Sequence, residues 1–575
     1  MLSVEQVVTE RFPTFVENKP KLITKPTMGL LRLLFHEKET NRFLEEHKGL
    51  AGLDFIEKVL EYFDLDYTVS RNDLENIPPT GRVVIVANHP LGALDALSLI
   101  QMVGSVRKDV KVIANDMLAA LEPLKELMLT VDNISGSTKK SSVQKILDCL
   151  KNDEALIVFP AGEVSRLRPN GVRDGKWKHG FLQFAKRTQS PILPVHIDAR
   201  NSAWFYSISM LSKPLSAMFL MQEIFRQRAN VIGFKVGELI PIRFLEQKGL
   251  RNNIQTKMLR KHLYRLAGKK PGLFQTEKSI AHPESRQIIK QELRNGELLG
   301  ETSDGKQIIL VDWFPESSVI REIGRLRELS FRKVGEGTGE RRDLDKYDQH
   351  YRHLVLWDNE SLEIVGAYRL GEGNKILKKV GKEGFYSANL FKFKQPFETY
   401  LEDSLELGRS FVQPNYWGSR ALDYLWQGLG AYLRHHPEIK YLFGPVSISA
   451  HYPQSARDML VYFYSHYFGH SEKLVSSNNP CQLSEQALEE FQDIFKGDDF
   501  CHDLKELKNR MSMQNMSIPT LYKQYSDLCE EDGVKFLDFG IDPDFSGCTD
   551  GFLLVDVSKI KQSKRKRYID VKADR

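Results

Sequence analysis

Three places in this sequence set proton-handling side chains directly after apolar runs or beside glycines. In the first, Val83-Val84-Ile85-Val86-Ala87 ends in Asn88-His89-Pro90-Leu91-Gly92, and Asp95 follows within a helical stretch from Ala93 to Met102. A histidine in the turn after a strand is exposed, and the helix N-terminus behind it is electropositive. Asp95 can hold the imidazole in the tautomer that accepts a hydroxyl proton, the logic of a His-Asp pair acting on the hydroxyl of a substrate. In the second, the run Ala155 to Phe159 enters Pro160-Ala161-Gly162-Glu163-Val164-Ser165-Arg166, where Glu163 and Arg166 can bind a phosphate, glycerol or head group. The third begins with Arg325 to Arg332 and Gly335-Glu336-Gly337-Thr338-Gly339. It continues through Asp343, Asp345, Asp348, His353 and Arg369 to Glu406-Leu407-Gly408-Arg409. No Gly-Lys-Ser/Thr ends that glycine loop, so it is not a phosphate-binding P-loop.

Elements must hold these groups in place. Val83–Val86, Lys111–Ala114, Ala155–Phe159 and Ile192–Ile197 read as buried strands alternating with helical stretches, which predicts an α/β domain with a partly parallel sheet. Residues 1–70 read as a helical, membrane-proximal segment and 71–268 as the first catalytic domain. The charged stretch with Gly268-Lys269-Lys270-Pro271-Gly272 marks a linker over 269–304. A second α/β domain over 305–575 has candidate strands at Gln307–Asp312, His353–Trp357, Glu363–Arg369 and Tyr441–Gly444, and a helix over Gly418–Arg434. Asn201–Gln227, rich in Trp204, Phe205, Tyr206, Met210 and Phe219, reads equally as an interfacial or acyl-chain segment and as core helix.

Composition limits the function classes. A chain of 575 residues holds more than one core. Its 81 basic and 76 acidic residues leave a net charge of +5, which speaks against a nucleic-acid binder while allowing local basic patches, such as Lys561–Arg567, that meet anionic lipid or an acidic carrier protein. Cys149, Cys481, Cys501, Cys529 and Cys548 form no C-x-x-C pair and read as reduced cytoplasmic thiols. Met1–Lys21 lacks the apolar core of a secretory signal, and apolar stretches such as Gly29–Phe35 and Leu215–Met221 fall short of the roughly 20 residues of a spanning helix. The expectation is a cytoplasmic protein, peripheral on the inner face of the membrane.

The first two clusters resemble the glycerophosphate/lysophospholipid acyltransferases. Asn88-His89 to Asp95 looks like that family's His-x4-Asp block and Phe159 to Arg166 like its F-P-E-G-T-x-S block. Gly136-Ser137 stands where a substrate-binding block is expected, and Leu193-Pro194-Val195 resembles the last proline-containing strand. Five residues separate His89 from Asp95 instead of four, and Ala161-Gly162-Glu163 replaces Glu-Gly-Thr. The extra residue turns Asp95 by roughly a third of a helical turn, so the sequence leaves its pairing with His89 open. The variant blocks are similar to the branch that acylates lyso-aminolipids.

The third cluster, from Glu322 to about Ser449, resembles the N-acyltransferase of ornithine-lipid synthesis, a relative of acyl-homoserine-lactone synthases within the GNAT fold. The matching positions are Arg327, Phe331, Asp345, Asp348, Gly366-x-Tyr368-Arg369, Glu406-x-Gly408-Arg409 and Leu442 to Ser447. Ile518-Pro519 to Tyr525 and Asp542 to Phe545 look like the family's last segment. The order of the halves resembles the bifunctional ornithine-lipid synthases.

The resemblance implies N-acylation of ornithine by a 3-hydroxyacyl group on acyl carrier protein, then O-acylation of the 3-hydroxyl with His89 as general base. No metal or other cofactor is implied. Asp345, Asp348 and Glu406 would bind the ammonium and take its proton, and Arg369 and Arg409 would fix a carboxylate or polarise the thioester oxygen. Ornithine, lysine and glycine stay open as the amino acid. Two further alternatives are a lysophospholipid acyltransferase with a C-terminal binding module and a membrane-active scaffold.

Overall fold

The computed structural model describes residues 32, 36–114, 121–130, 140–211, 219, 222–246 and 249–570. The chain divides into two compact units, Met1–Ala281 and His282–Arg575.

The N-terminal unit is built on strands β1 (Asp66–Thr68), β2 (Val83–Ala87), β3 (Val110–Ala114), β4 (Met128–Thr130), β5 (Ala155–Val158), β8 (Ile192–Asp198) and β9 (Val231–Val236), in the order β1-β9-β8-β2-β5-β3-β4. A small hairpin, β6 (Arg166–Arg168) and β7 (Gly171–Arg173), stands apart. All neighbours in the large sheet are parallel except β8 and β9. Parallel strands covered on both faces are apolar along their whole length, which is why β2 and β5 stand out in the sequence. On one face, Val83, Ile85 and Ala87 pack with Phe55, Ile56 and Leu60 of helix α1 (Gly52–Tyr62) and Leu97, Ile100 and Val103 of α2 (Ala93–Gly104). On the other, Val84, Val86 and Leu156 meet Ile146 of α3 (Lys140–Lys151), Phe181 and Leu182 of α4 (Gly180–Thr188) and Leu259 and Leu263 of α6 (Asn252–Ala267). Helix α5 (Ala203–Leu211) buries Phe205 and Tyr206 yet leaves Trp204 47% exposed. Helices Glu37–Glu46 and α1 fall within the expected helical segment, but its C-terminal part forms edge strand β1.

The C-terminal unit holds an eight-stranded sheet, β10 (Glu297–Glu301), β11 (Gln307–Asp312), β12 (Arg352–Asp358), β13 (Glu363–Glu372), β15 (Ser404–Val412), β16 (Tyr441–Ile448), β19 (Cys548–Asp556) and β18 (Val534–Asp542), in that spatial order. Strands β14 (Phe391–Phe393) and β17 (Val475–Ser477) pair separately. Helices α9 (Ala421–His435) and α10 (Gln454–Phe468) cover one face. Helices α7 (Arg286–Leu293) and α8 (Ser318–Lys333) cover the other, beside an aromatic cluster around Tyr351, Tyr386, Phe443 and Phe552.

The stretch expected as a linker over 269–304 is not one. Phe274 packs in the N-terminal core and Glu277 bridges to Leu239. Ile289 and Leu293 join the C-terminal core and β10 pairs with β11. Its charged residues mask an amphipathic helix and an edge strand, both of which carry charge on their outer faces. The basic run is also less available than its composition indicates. On α11 (Gln562–Tyr568), Lys564 pairs with Asp527 and Arg567 with Asp423, while the preceding Lys561 also reaches Asp527.

Candidate functional sites

In the N-terminal unit β2 and β5 are adjacent and parallel, so their C-terminal ends open on the same edge of the sheet. Crevices beyond such ends are where open α/β sheets bind ligands. Asn88 anchors the first turn by imitating a backbone partner: its amide donates to the Ile197 carbonyl at 2.9 Å and accepts from the Ile197 N–H at 2.8 Å. Gly92, at φ 102°, then turns the chain into α2. That turn absorbs the extra residue, and Asp95 Oδ1 lies 3.2 Å from His89 Nδ1, an ion-pair contact off the angle of a well-formed hydrogen bond. The Asp95 carboxylate is fully buried and also accepts the N–H groups of Leu91 and Ala96. The His89 side chain is 19% exposed and stacks on Phe159 at 4.2 Å. With Nδ1 turned to Asp95, Nε2 is the nitrogen left for a substrate.

A residue that sequence reasoning missed supports this turn from behind. Asp174 accepts the His89 N–H at 3.2 Å, the Ser165 hydroxyl at 2.5 Å and the Trp177 indole N–H at 2.8 Å. The Ser165 N–H donates to the His89 carbonyl at 2.7 Å, tying the two strand-end loops together. Burial opposes charge on His89, but Asp95 and then Asp174 outweigh it, and the pKa of the ring rises above its ordinary value. In the sequence Asp174 is only one acid in a polar loop, and nothing there marks its burial.

Glu163 and Arg166 approach at 3.4 Å on the β5 turn, and Arg166 donates to Ser209 at 2.5 Å. Lys178, which the sequence did not single out, brings its ammonium to the same turn: a Cβ on Gly162 would stand 3.5 Å from its Nζ. Gly136 and Ser137 lie outside the described residues.

In the C-terminal unit the third cluster divides into an interior and a rim. Arg327 donates to Asp348 Oδ1 at 2.8 Å and its other nitrogen lies 3.2 Å from His353 Nδ1. Arg369 donates to Asp345 at 2.8 and 2.9 Å and to Asp348 at 3.4 Å. Burial alone would raise the Asp348 pKa, but Arg327 and Arg369 hold it far below the carboxylate range. Burial and Arg327 push His353 down to about 3, so the ring is neutral near pH 7.

Arg327, Arg369 and Asp348 are all but sealed from solvent, and the Asp348 carboxylate lies between the two guanidinium groups. Glu406 is enclosed as well. Its carboxylate accepts the N–H and hydroxyl of Ser387 at 2.7 and 2.5 Å, the Tyr386 N–H at 3.2 Å and the Tyr351 hydroxyl. It is buried with every lone pair engaged, leaving none for an ammonium.

Asp345 and Arg409 form the rim, with side chains 24% and 11% exposed. Arg409 and Ser410 together face Tyr368 alone, a bulge in β15, and Arg409 takes φ 51° there. Bulges of this kind re-aim a side chain. The Arg409 guanidinium lies between the Tyr386 and Phe545 rings, 4.6 Å from each, donates to the Tyr386 hydroxyl at 3.2 Å and stands 3.0 Å from Asp343. Phe331 packs edge-on against Phe545 at 5.0 Å. Beside this rim β15 and β16 run parallel only from Ser404/Tyr441 to Glu406/Phe443 and then part. The strand edges beyond that point face a gap lined by Leu407, Gly444, Pro445 and Val446.

Comparison with known proteins separates the halves in the same way. Residues 6–270 match the family described as "Acyltransferase", and residues 326–427 match the "Acetyltransferase (GNAT) domain". The chain is similar to a glycine N(alpha)-acyltransferase of Phocaeicola vulgatus, 34% identical over 51% of this chain and 92% of that protein. It is similar to a lyso-glycine lipid O-acyltransferase of the same organism, 29% identical over 42% of this chain and 86% of that protein. It also matches an L-ornithine N(alpha)-acyltransferase of Brucella abortus, 36% identical over 22% of this chain and 46% of that protein.

Proposed function

Because this chain belongs to the aminolipid acyltransferases, we propose that it carries out both acylations of one aminolipid, first on nitrogen and then on oxygen. The C-terminal unit N-acylates ornithine with a 3-hydroxyacyl group from acyl carrier protein. The N-terminal unit O-acylates the 3-hydroxyl of that lyso-lipid from a second carrier thioester. The observation that carries this is the presence on one chain of two unlike proton-handling sites, a histidine with a free Nε2 and a carboxylate-arginine rim.

In the second step His89 Nε2 takes the hydroxyl proton as the oxygen attacks the thioester carbon. The C–O bond forms, the C–S bond breaks, and the imidazolium, stabilised by Asp95, returns the proton to the departing thiolate. In the first step Arg409 holds the amino-acid carboxylate in a charge-assisted pair. Ornithine is favoured by the charge of the rim, where Asp343, Asp345, Asp542, Asp550 and Glu336 surround Arg409 and suit a substrate with two ammonium groups. A second reading, glycine, is favoured by the similarity, which spans 92% of a glycine-acting relative and 46% of an ornithine-acting one.

The lyso-lipid has one acyl chain and is held weakly by a bilayer, so passing it on within one protein suits the chemistry. No helix among the described residues is long and apolar enough to cross a membrane. Peripheral binding to the inner face is supported by exposed Trp204, which packs on Phe219 and lies under the Arg226 guanidinium at 5.4 Å. The test is expression in a bacterium that lacks aminolipids, followed by lipid mass spectrometry, where head-group mass separates ornithine from glycine. His89→Ala should accumulate the lyso-lipid. No new amino-acid lipid from the wild type would end this reading, and diacyl lipid from His89→Ala would remove His89 from its role.

A further inference from the structure

An amino acid arrives as an ammonium, which has no lone pair for attack until a base removes a proton. The acids first in line for that task are engaged. Glu406 accepts from Ser387, Tyr351 and Tyr386, and Asp348 is held by Arg327, Arg369 and the Asp345 N–H. Asp542 takes the Tyr386 hydroxyl at 2.9 Å and the N–H groups of Asp544 and Phe545.

Two carboxylates at the rim differ. Asp550 stands in β19 opposite Ser447 of β16, beyond the point where β15 and β16 part. Strand alternation puts it on the face that carries Phe552 and Leu554, the face of Tyr386 and Glu406. Its neighbours are weak donors, the Cys548 thiol at 3.6 Å and the Ser447 hydroxyl. Glu336 stands in the glycine loop, and no other described residue gives its carboxylate a hydrogen bond or an ion pair. That loop is held firmly. Buried Glu328 accepts the N–H groups of Thr338 and Gly339 and the Thr338 hydroxyl, Gly337 accepts from Ser546, and Ser449 donates to Val334.

We propose that Asp550, backed by Glu336, is the base that deprotonates the substrate ammonium in the C-terminal unit, while Arg409 holds the carboxylate of the same amino acid. The assignment rests on the N-acylation reading above. The ammonium gives one proton to Asp550. The freed lone pair attacks the thioester carbon, the C–N bond forms, the C–S bond breaks, and the second nitrogen proton goes to the carrier thiolate. Asp550 then gives its proton to solvent.

The surroundings suit such exchange. Burial, then the charge of Asp550, lifts Glu336 to about 8, and burial, then Asp542, lifts Asp550 to about 7. The charged and titratable groups facing Asp550 are Asp542, Glu336, Arg409, Cys548, Tyr386 and Tyr522.

The test uses the full chain, ornithine and glycine as amines, and a 3-hydroxyacyl carrier thioester. Asp550→Asn should lower kcat by about 10²- to 10⁴-fold, with KM for the amino acid within a few-fold and the acidic limb of the rate profile lost. Glu336→Gln leaves Asp550 in place, so the acidic limb should persist and the rate should fall less than in Asp550→Asn. Methoxyamine, neutral at the assay pH, should be acylated by Asp550→Asn at close to the wild-type rate. A wild-type kcat and limb in Asp550→Asn, or loss of the limb in Glu336→Gln, overturns the proposal. So does loss of methoxyamine transfer alongside ornithine transfer in a variant with unchanged thermal unfolding. A wild type that acylates neither amino acid brings down the N-acylation reading itself, and the base with it.

Discussion

Replacing Asp95 by Asn tests the N-terminal site at its most specific point. The substitution keeps the shape of the side chain but removes the charge 3.2 Å from His89 Nδ1. Two unit charges at that distance attract by about 5 kcal/mol at an effective dielectric of 20. The imidazole is 19% exposed, and solvent screening leaves about 2–3 kcal/mol for the imidazolium of the transition state. That corresponds to roughly 30- to 150-fold in kcat. Geometry acts in the same direction. Asp95 accepts from Leu91 N–H through one oxygen and from Ala96 N–H through the other. Whichever way an amide turns, its NH2 group therefore faces a donor. The assay is O-acylation of a supplied lyso-lipid by the purified full chain, with kcat followed against pH. Asp95 raises the His89 pKa, and the base must be neutral to act, so the acidic limb should move to lower pH in the variant while the plateau falls. A plateau within threefold of wild type together with an unmoved limb would refute the pairing, and His89 would then act without Asp95.

Three further outcomes follow from the C-terminal unit. Asp348→Asn breaks a buried ion network and should cost about 3–5 kcal/mol, read by calorimetry as a lower unfolding temperature; because the folded pKa of Asp348 is depressed, its stabilisation is present above about pH 4 and lost as pH falls below it, so the variant should also show a flatter acid dependence. Glu406→Gln must point its NH2 group at the Ser387 donors or at the Tyr386 N–H, an unpaired buried donor worth about 1–3 kcal/mol. It should melt earlier yet keep N-acylation and its pH profile at low temperature; a stable, inactive variant would restore Glu406 as a base. Gly335→Ala puts a Cβ at 2.2 Å from the His451 ring at φ 82°, so it should displace the Glu336 loop and lower the N-acylation rate while O-acylation holds; equal rates would show that the loop tolerates the shift.

The parts of this protein legible in its sequence are those whose physics is local. β2 and β5 are uninterrupted apolar runs because both faces of a parallel sheet are covered, and a histidine or a Pro-Gly turn directly after such a run sits at the sheet edge. What stayed hidden depends on distant pairing. Val231–Val236 shows only partial alternation, yet it pairs with two strands. Asp174 reaches His89 across 85 residues of chain. Cys548-Thr549-Asp550-Gly551 has the composition of a turn and forms the first half of a hairpin strand, buried between β16 and β18. The motif acids were found, but their spacing says nothing of burial. Asp348 and Glu406 lie inside, and Asp345 on the rim.

Burial is what distinguishes the two sites, and the chemistry of each nucleophile accounts for the difference. A hydroxyl is a very weak acid near neutral pH, so its proton must leave as the C–O bond forms, and the base has to be neutral beforehand and stabilised once charged. A mostly buried histidine that still reaches solvent, over a sealed carboxylate, meets both conditions. An ammonium is already an acid, and its proton must leave before attack, to a group that is a carboxylate part of the time and whose affinity lies not far below that of the amine. An ordinary surface aspartate holds a proton too weakly for this. Burial first, then Asp542 beside Asp550 and Asp550 beside Glu336, in a site that Arg409 alone only partly neutralises, raises both toward the required range. The carboxylates that the arginines do neutralise, Asp348 above all, are unsuited to the same task. The arginine network of the C-terminal unit therefore sorts its acids: Asp348, held between Arg327 and Arg369, braces the fold, and those left short of cations handle the proton.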